Sequence, residues 1–253
     1  MNSLHEQYRP RSFADVVGQP RAVRQIQAVM ARGWGGRAWW ITGASGTGKT
    51  TLAKLIAQAG ADEYATEELD AQILTPARVR ELEYEMRTLA LGAKPGRAYL
   101  VNEAHGLRRD TIRLLLVLLE RLPRHVVIIF TTTKEGQASL FDDDATGDAS
   151  PLLSRCTEIV LAHDAKAQAA FAARAQEIAT AEGIDGVPAT VYQAAALKAR
   201  GNMRALLQRI ESGAFVDDAR EALETELAAL KVAVTPAAQA RRKELQAAIA
   251  ALS

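Results

Sequence analysis

The sequence predicts an α/β fold, a parallel sheet held between helices, followed by a smaller all-helical region. Two observations carry this. As far as residue 162, short runs that are apolar throughout alternate with helical spacings, which is how strands covered on both faces read. From Ala165 onward no strand pattern appears, and alanine-rich segments such as AKAQAAFAARAQEIATAEG take over. At 253 residues and 48% hydrophobic content, the chain can bury one large core or two smaller ones.

Taken in order, AWWIT (38–42) reads as a strand and GKTTLAKLIAQA (48–59) as a helix opening on glycine. ARVRELEYEMRTLAL has helical spacing, and AYLVN (98–102) is a second apolar strand. DTIRLLLVLLERL is a strongly apolar helix, HVVIIFTT (125–132) the richest strand signal, and CTEIVL (156–161) a short further strand. Between the last two, KEGQASLFDDDATGDAS (134–150) reads as a polar, acidic loop. The expected organisation is an α/β domain over 1–162, a helical domain over 163–215 and a helical extension over 216–253.

Composition excludes several classes. With 31 basic and 30 acidic residues, bulk charge gives no nucleic-acid signal, so any such contact would come from local placement or converging subunits. MNSLHEQYRPRSFADVV lacks an apolar signal core and no run reaches transmembrane length, so a cytoplasmic protein with no membrane partner is expected. Cys156 is the single cysteine, which rules out intrachain disulfides and multi-cysteine zinc sites; a small buried hydrophobe is its expected role. Trp39 and Trp40 lie in a predicted core strand, so packing, not base stacking, is expected for the Trp34, Trp39, Trp40 group.

The strongest chemical signal is GASGTGKT, which fits G-x-x-x-x-G-K-[ST] between a predicted strand and helix. Glycines let successive backbone N–H groups turn inward into an anion nest at a helix N-terminus. Gly43, Ala44, Ser45, Gly46, Thr47, Gly48, Lys49, Thr50 and Thr51 are the expected ATP-binding loop, with Lys49 on the β- and γ-phosphates and Thr50 on Mg²⁺.

Five further stretches fall into a fixed order around it: EQYRPRSFADVVGQP (6–20), VNEAH (101–105), FTTT (130–133), SPLLSRC (150–156) and GNMRALLQRIE (201–211). Over residues 5–214 this succession resembles the clamp-loader branch of the AAA+ ATPases, the group of DNA polymerase III gamma/tau and the small subunits of replication factor C. The resemblance implies an AAA+ P-loop domain followed by a helical lid, and ATP hydrolysis with Mg²⁺ at subunit interfaces. The partners it implies are other loader subunits in a homo- or hetero-oligomeric ring, a pentamer in that group, with a sliding clamp and primer–template DNA. It assigns Tyr8, Arg9, Pro10, Val17 and Gly18 to the adenine pocket and Glu103 to the attacking water. Thr131, with Thr132 as the alternative, becomes the hydroxyl that senses the γ-phosphate. Arg204 would reach the same phosphate from the lid, and Arg155 would act on the ATP of the neighbouring subunit. His105 is expected to be structural.

Three departures qualify the resemblance. Asn102 stands where the group has Asp, so Mg²⁺ is expected to be held less tightly and hydrolysis slowed, with binding retained. No four-cysteine zinc module interrupts ADEYATEELD, and the residues after Glu211 suit two amphipathic helices around AVTP instead of a full collar domain. That combination suggests a phage or mobile-element replication system. For DNA contacts the match points to ARVREL (77–82), with Arg80 ahead of Arg78. The alternatives to a clamp loader are a RuvB- or RarA-like DNA remodelling ATPase and a non-hydrolysing structural loader subunit.

Overall fold

The computed structural model describes residues 3–142, 149–184, 187–230 and 236–250. They form two compact units, one of Pro10–Ala162 and one of Met1–Arg9 with His163–Ser253. A short helix, α1 (Leu4–Gln7), opens the chain and belongs to the second unit. The first unit runs α2 (Pro20–Met30), β1 (Arg37–Thr42), α3 (Lys49–Gln58), β2 (Ala61–Asp70), α4 (Pro76–Glu85) and β3 (Gly96–Asn102). It continues with α5 (Arg109–Leu119), β4 (Val126–Thr132), α6 (Lys134–Asp142), α7 (Ala149–Ser154) and β5 (Cys156–Val160).

The five strands make one parallel sheet in the order β2-β3-β4-β1-β5. Successive side chains of a strand face opposite ways, and here both ways lead into a core. Trp40, Tyr99, Val101, Ile128 and Phe130 pack on one face against Val79 and Leu82 of α4 and Ile112 and Leu115 of α5. Trp39, Ile41, Leu100, Val127 and Ile129 pack on the other against Ile26 of α2 and Leu52 and Ile56 of α3. Each such buried side chain contributes about 1.5–3 kcal/mol. Trp39 and Trp40 are therefore packing residues, with the Trp40 and Phe130 rings 5.4 Å apart.

The ten-residue strand β2 is an element the sequence concealed. Five of its residues are acidic, and it lies at the sheet edge with pairing on one side only, so it lacks the continuous apolar run that marks its neighbours. Its charge is offset locally: Lys54 pairs with Glu68 at 2.6 Å and Arg78 with Glu67 at 2.8 Å. The expected loop over 134–150 is also corrected. Lys134–Asp142 is helical, started by the Thr133 hydroxyl accepting from Gly136 N–H at 2.9 Å, and α7 begins at Ala149. Residues 143–148 of that stretch lie outside the described residues.

The second unit holds α8 (Ala165–Ala181), α9 (Ala189–Lys198), α10 (Met203–Glu211), α11 (Ala214–Leu230) and α12 (Pro236–Ala250). Asp164 and Asn202 cap α8 and α10 by accepting from Ala167 N–H and Ala205 N–H, the sequence-level start signal for each. Phe171, Ile178, Tyr192, Leu206, Ile210 and Phe215 form its interior, with the Tyr192 and Phe215 rings 5.4 Å apart. The N-terminal segment, expected in the α/β domain, sits in this unit because Leu4 is buried there and Gln7 and Tyr8 bond to Glu182. The expected boundary between 163–215 and 216–253 falls inside α11, and both stretches belong to this one unit. Most of the AVTP break between α11 and α12 lies outside the described residues. Among the described residues no helix is long and apolar enough to cross a membrane.

One contact tests the packing of the first unit. The Trp34 ring lies on Gly60 and Gly96, and its Nε1 donates to the Ile56 carbonyl at 2.6 Å. A Cβ at Gly96 would stand 2.4 Å from that ring and 2.3 Å from the Gly60 carbonyl oxygen. Gly96→Ala should therefore lower stability by about 1–3 kcal/mol, the range for overpacking; an unchanged urea midpoint would refute the contact.

Candidate functional site

The carboxyl ends of β1, β4 and β3 lie side by side, with Thr42 opposite Thr132 and Val101 opposite Phe130. In an open parallel sheet this rim is where a ligand has access to backbone and side chains together. The chain leaving β1 forms the glycine-rich loop and then enters α3.

Two glycines turn that loop. Gly46 (φ 71°) and Gly48 (φ 103°) occupy left-handed conformations that residues with a Cβ rarely adopt, and Gly48 leads directly into α3. Gly43 is required for space: a Cβ there would come within 2.8 Å of the Leu161 Cβ and 3.0 Å of the Thr47 hydroxyl. Thr47 donates to the Ala44 carbonyl at 2.8 Å and braces the turn. Lys49 is buried, its ammonium donating to the carbonyls of Gly43 at 2.9 Å and Ala44 at 3.0 Å. The positive charge is thus held inside the curl of the loop. Thr50 follows in the first turn of α3.

The rim continues through β3 and β4. Thr131 donates its hydroxyl proton to Asn102 Oδ1 at 2.9 Å, and the Asn102 amide lies 3.5 Å from Glu68 on β2. Asn102 therefore joins the tip of β4 to the edge strand. Glu103 leaves the strand in a left-handed conformation (φ 52°, ψ 48°), costing about 1–3 kcal/mol for a residue with a side chain. Its carboxylate is half exposed and lies 3.5 Å from His105 Nδ1, which also contacts the Thr132 hydroxyl at 3.2 Å. Of the two threonines, Thr131 meets Asn102 and Thr132 meets His105.

Arg155 follows α7 and is bound to Glu120 and to the Pro151 carbonyl. Pro10, Val17 and Gly18 of the expected adenine contacts lie in the same unit as the loop. Tyr8, Arg9 and Arg204 belong to the other. There, Tyr8 donates to Glu182 at 2.6 Å, a bond that raises its phenol pKa, and Arg9 pairs with Glu6. Arg78 is taken up by carboxylates, donating to both oxygens of Glu67 at 2.8 Å and also to Glu81 and Glu85. The bonds to Glu67 lead in holding its guanidinium above its ordinary pKa. Arg80 is exposed. Sequence reasoning passed over Gln19, which is buried and clasps Ala162 with both ends of its amide: Nε2 donates to the carbonyl at 2.9 Å and Oε1 accepts from the N–H at 2.7 Å. The only signal was a polar residue after Gly18.

No protein-family model matches the chain. It is 28% identical over 152 residues to the DNA polymerase III subunit gamma of Buchnera aphidicola subsp. Schizaphis graminum, covering 51% of this chain and 42% of that protein. It is 29% identical over 154 residues to the tau subunit of Escherichia coli, covering 51% and 24%. The aligned region thus spans less than half the length of either relative. Among solved structures, a RuvB point mutant from Thermotoga maritima superposes with a TM-score of 0.61 at 19% identity, covering 81% of this chain and 65% of that one. The RuvB Holliday junction branch migration motor from the same organism gives 0.59 at 18% identity, covering 94% and 72%. The fold is the AAA+ P-loop fold, and in sequence the chain resembles clamp-loader AAA+ ATPase subunits.

Next to Arg155, burial pushes the Cys156 thiol up to about 12, and its Sγ–H donates to the Leu152 carbonyl. The raised folded value keeps the thiol protonated as pH rises through its ordinary value of 9.0, so stability falls progressively between that pH and about 12. Iodoacetamide at pH 8 should leave Cys156 unmodified in the native protein and alkylate it in urea, read by intact mass; rapid native labelling would contradict its burial.

Proposed function

We propose that this chain is an ATP-binding and ATP-hydrolysing subunit of an oligomeric clamp-loader-like AAA+ assembly acting on DNA. The observation that carries the reading is the junction of the Lys49 loop with the Thr131–Asn102 contact on one sheet rim. A buried ammonium inside a nest at a helix N-terminus suits a polyphosphate. A hydroxyl and an amide oxygen one strand away suit the polar end of that ligand. The similarity to gamma and tau subunits supports the same reading.

The donor set also suits magnesium, which retains several waters and is usually held by one or two protein groups together with phosphates. Among the described residues no cluster of three acidic, histidine or cysteine side chains forms an all-protein cage. Thr50 would ligate the ion through its hydroxyl, and Asn102 would accept from its waters. When bound, magnesium neutralises charge on the phosphates. Glu103 would accept the proton of the attacking water, and His105 at 3.5 Å would steady that carboxylate. Arg155 would stabilise the phosphoryl group of a neighbouring copy's ATP. The roles that the resemblance gives Tyr8, Arg9 and Arg204 are part of the same proposal. Since Arg78 is saturated by carboxylates, Arg80 is the DNA-facing candidate.

ATP binding and turnover test the reading. Lys49→Ala should lose ATP binding. Glu103→Gln should bind ATP but turn it over about 10²–10⁴-fold more slowly, the range for a general base. Asn102→Asp should tighten Mg²⁺ dependence and raise turnover; unchanged turnover would refute the proposed effect of the amide. Stimulation that requires both primed DNA and a sliding clamp supports loading. Stimulation by branched DNA alone would favour a RuvB-like remodeller, and tight binding without turnover a structural subunit.

A further inference from the structure

Arg155 is held by its own chain at all three guanidinium nitrogens. Nε and Nη2 donate to Glu120 Oε1 at 3.1 and 2.5 Å, and Nη1 donates to the Pro151 carbonyl at 3.0 Å. A guanidinium has five N–H groups in a planar fork. Among the described residues three are engaged, which leaves one on each terminal nitrogen. Two parallel N–H groups on the end of such a fork are the arrangement that takes two oxygens of a phosphate. The bonds to Glu120 and Pro151 thus orient the arginine without exhausting it.

The grip is anchored in the core from both sides. Glu120 closes α5, where Leu115 and Leu118 are buried, and Arg155 closes α7, where Leu152 is fully buried. The pair itself is open to water, Arg155 by 34% and Glu120 by 56%. An exposed ion pair of this kind adds little to stability. A freely moving arginine would have to be ordered when its anion arrives, whereas one already held avoids much of that cost. We infer that Glu120 is the positioning residue for Arg155, presenting its terminal N–H pair to a nucleotide phosphate on a second copy of this chain. This rests on the proposal that Arg155 acts between copies.

A mixing experiment separates the two claims. Full-length Lys49→Ala and Arg155→Ala chains, each inactive alone, are combined, and ATP hydrolysis is followed. The Arg155→Ala copies retain the phosphate loop and the Lys49→Ala copies retain the arginine, so the mixture should recover activity. Adding Glu120→Ala to the arginine-bearing Lys49→Ala chain should lower kcat of the mixture about ten- to a hundredfold, with KM for ATP unchanged, as for a slightly misplaced catalytic group. Adding it to the ATP-bearing Arg155→Ala chain should change neither. Glu120→Gln, which keeps an acceptor oxygen, should fall between Glu120→Ala and the parent, and it carries the test if thermal melting shows the alanine variant unfolded. Recovery that is indifferent to Glu120 in the arginine-bearing chain would overturn the inference while leaving Arg155 in its role. An equal loss from either chain would mark a merely structural contact and also overturn it. No recovery in the parent mixture would remove the action of Arg155 between copies, and the role of Glu120 with it.

Discussion

Strand β1 has a partner on each edge and a core on each face, and the rest of the α/β unit is arranged around that fact. A strand so enclosed has no side available for chemistry. Its alternating residues, Trp39 and Ile41 against one set of helices and Trp40 against the other, are committed to packing. Function is displaced to where the strand stops. The polar groups there have to bond with one another or with a ligand, because the apolar layers immediately behind them offer no partner.

That displacement accounts for the connected character of the rim. Thr131 and Asn102 come from adjacent strands and satisfy each other, and the amide leads on to Glu68, which is tied in turn to Lys54 one helical turn beyond Thr50. The loop itself is closed by internal bonds from Thr47 and Lys49 to its own carbonyls. A loop preformed in this way does not need the ligand to create its shape. The bond from Thr131 needs only an acceptor oxygen at position 102, so a carboxylate there would keep it, whereas the donor that faces Glu68 exists only in the amide.

The sequence disclosed these parts unevenly, for physical reasons. The glycine-rich loop was legible because its backbone conformation demands glycine at fixed spacing, and β1, β3 and β4 because two-sided burial leaves uninterrupted hydrophobic runs. Strand β2 was hidden since an edge position with few apolar residues looks like a loop, and its partners, Lys54 and Arg78, are distant in sequence. Thr131 and Thr132 could not be ranked by residue type; their opposite facings on β4 separate them. Arg78 and Arg80 looked interchangeable until three carboxylates were found around the first. Gln19 and Glu120 carried no local signal, because each acts on a residue far along the chain.

The tryptophan buried beneath the sheet rim has an optical consequence. Trp40 donates its indole N–H to Gln137 Oε1 at 3.1 Å, and the preceding residue, Gly136, lies against the His105 ring, the neighbour of Glu103. Indole emission shifts with the polarity and bonding of its N–H, so the colour of this one fluorophore is tied to the placement of α6 beside the acidic motif. With Trp34 and Trp39 replaced by phenylalanine, the protein would report rearrangement of that corner in real time from its own light, without an attached dye.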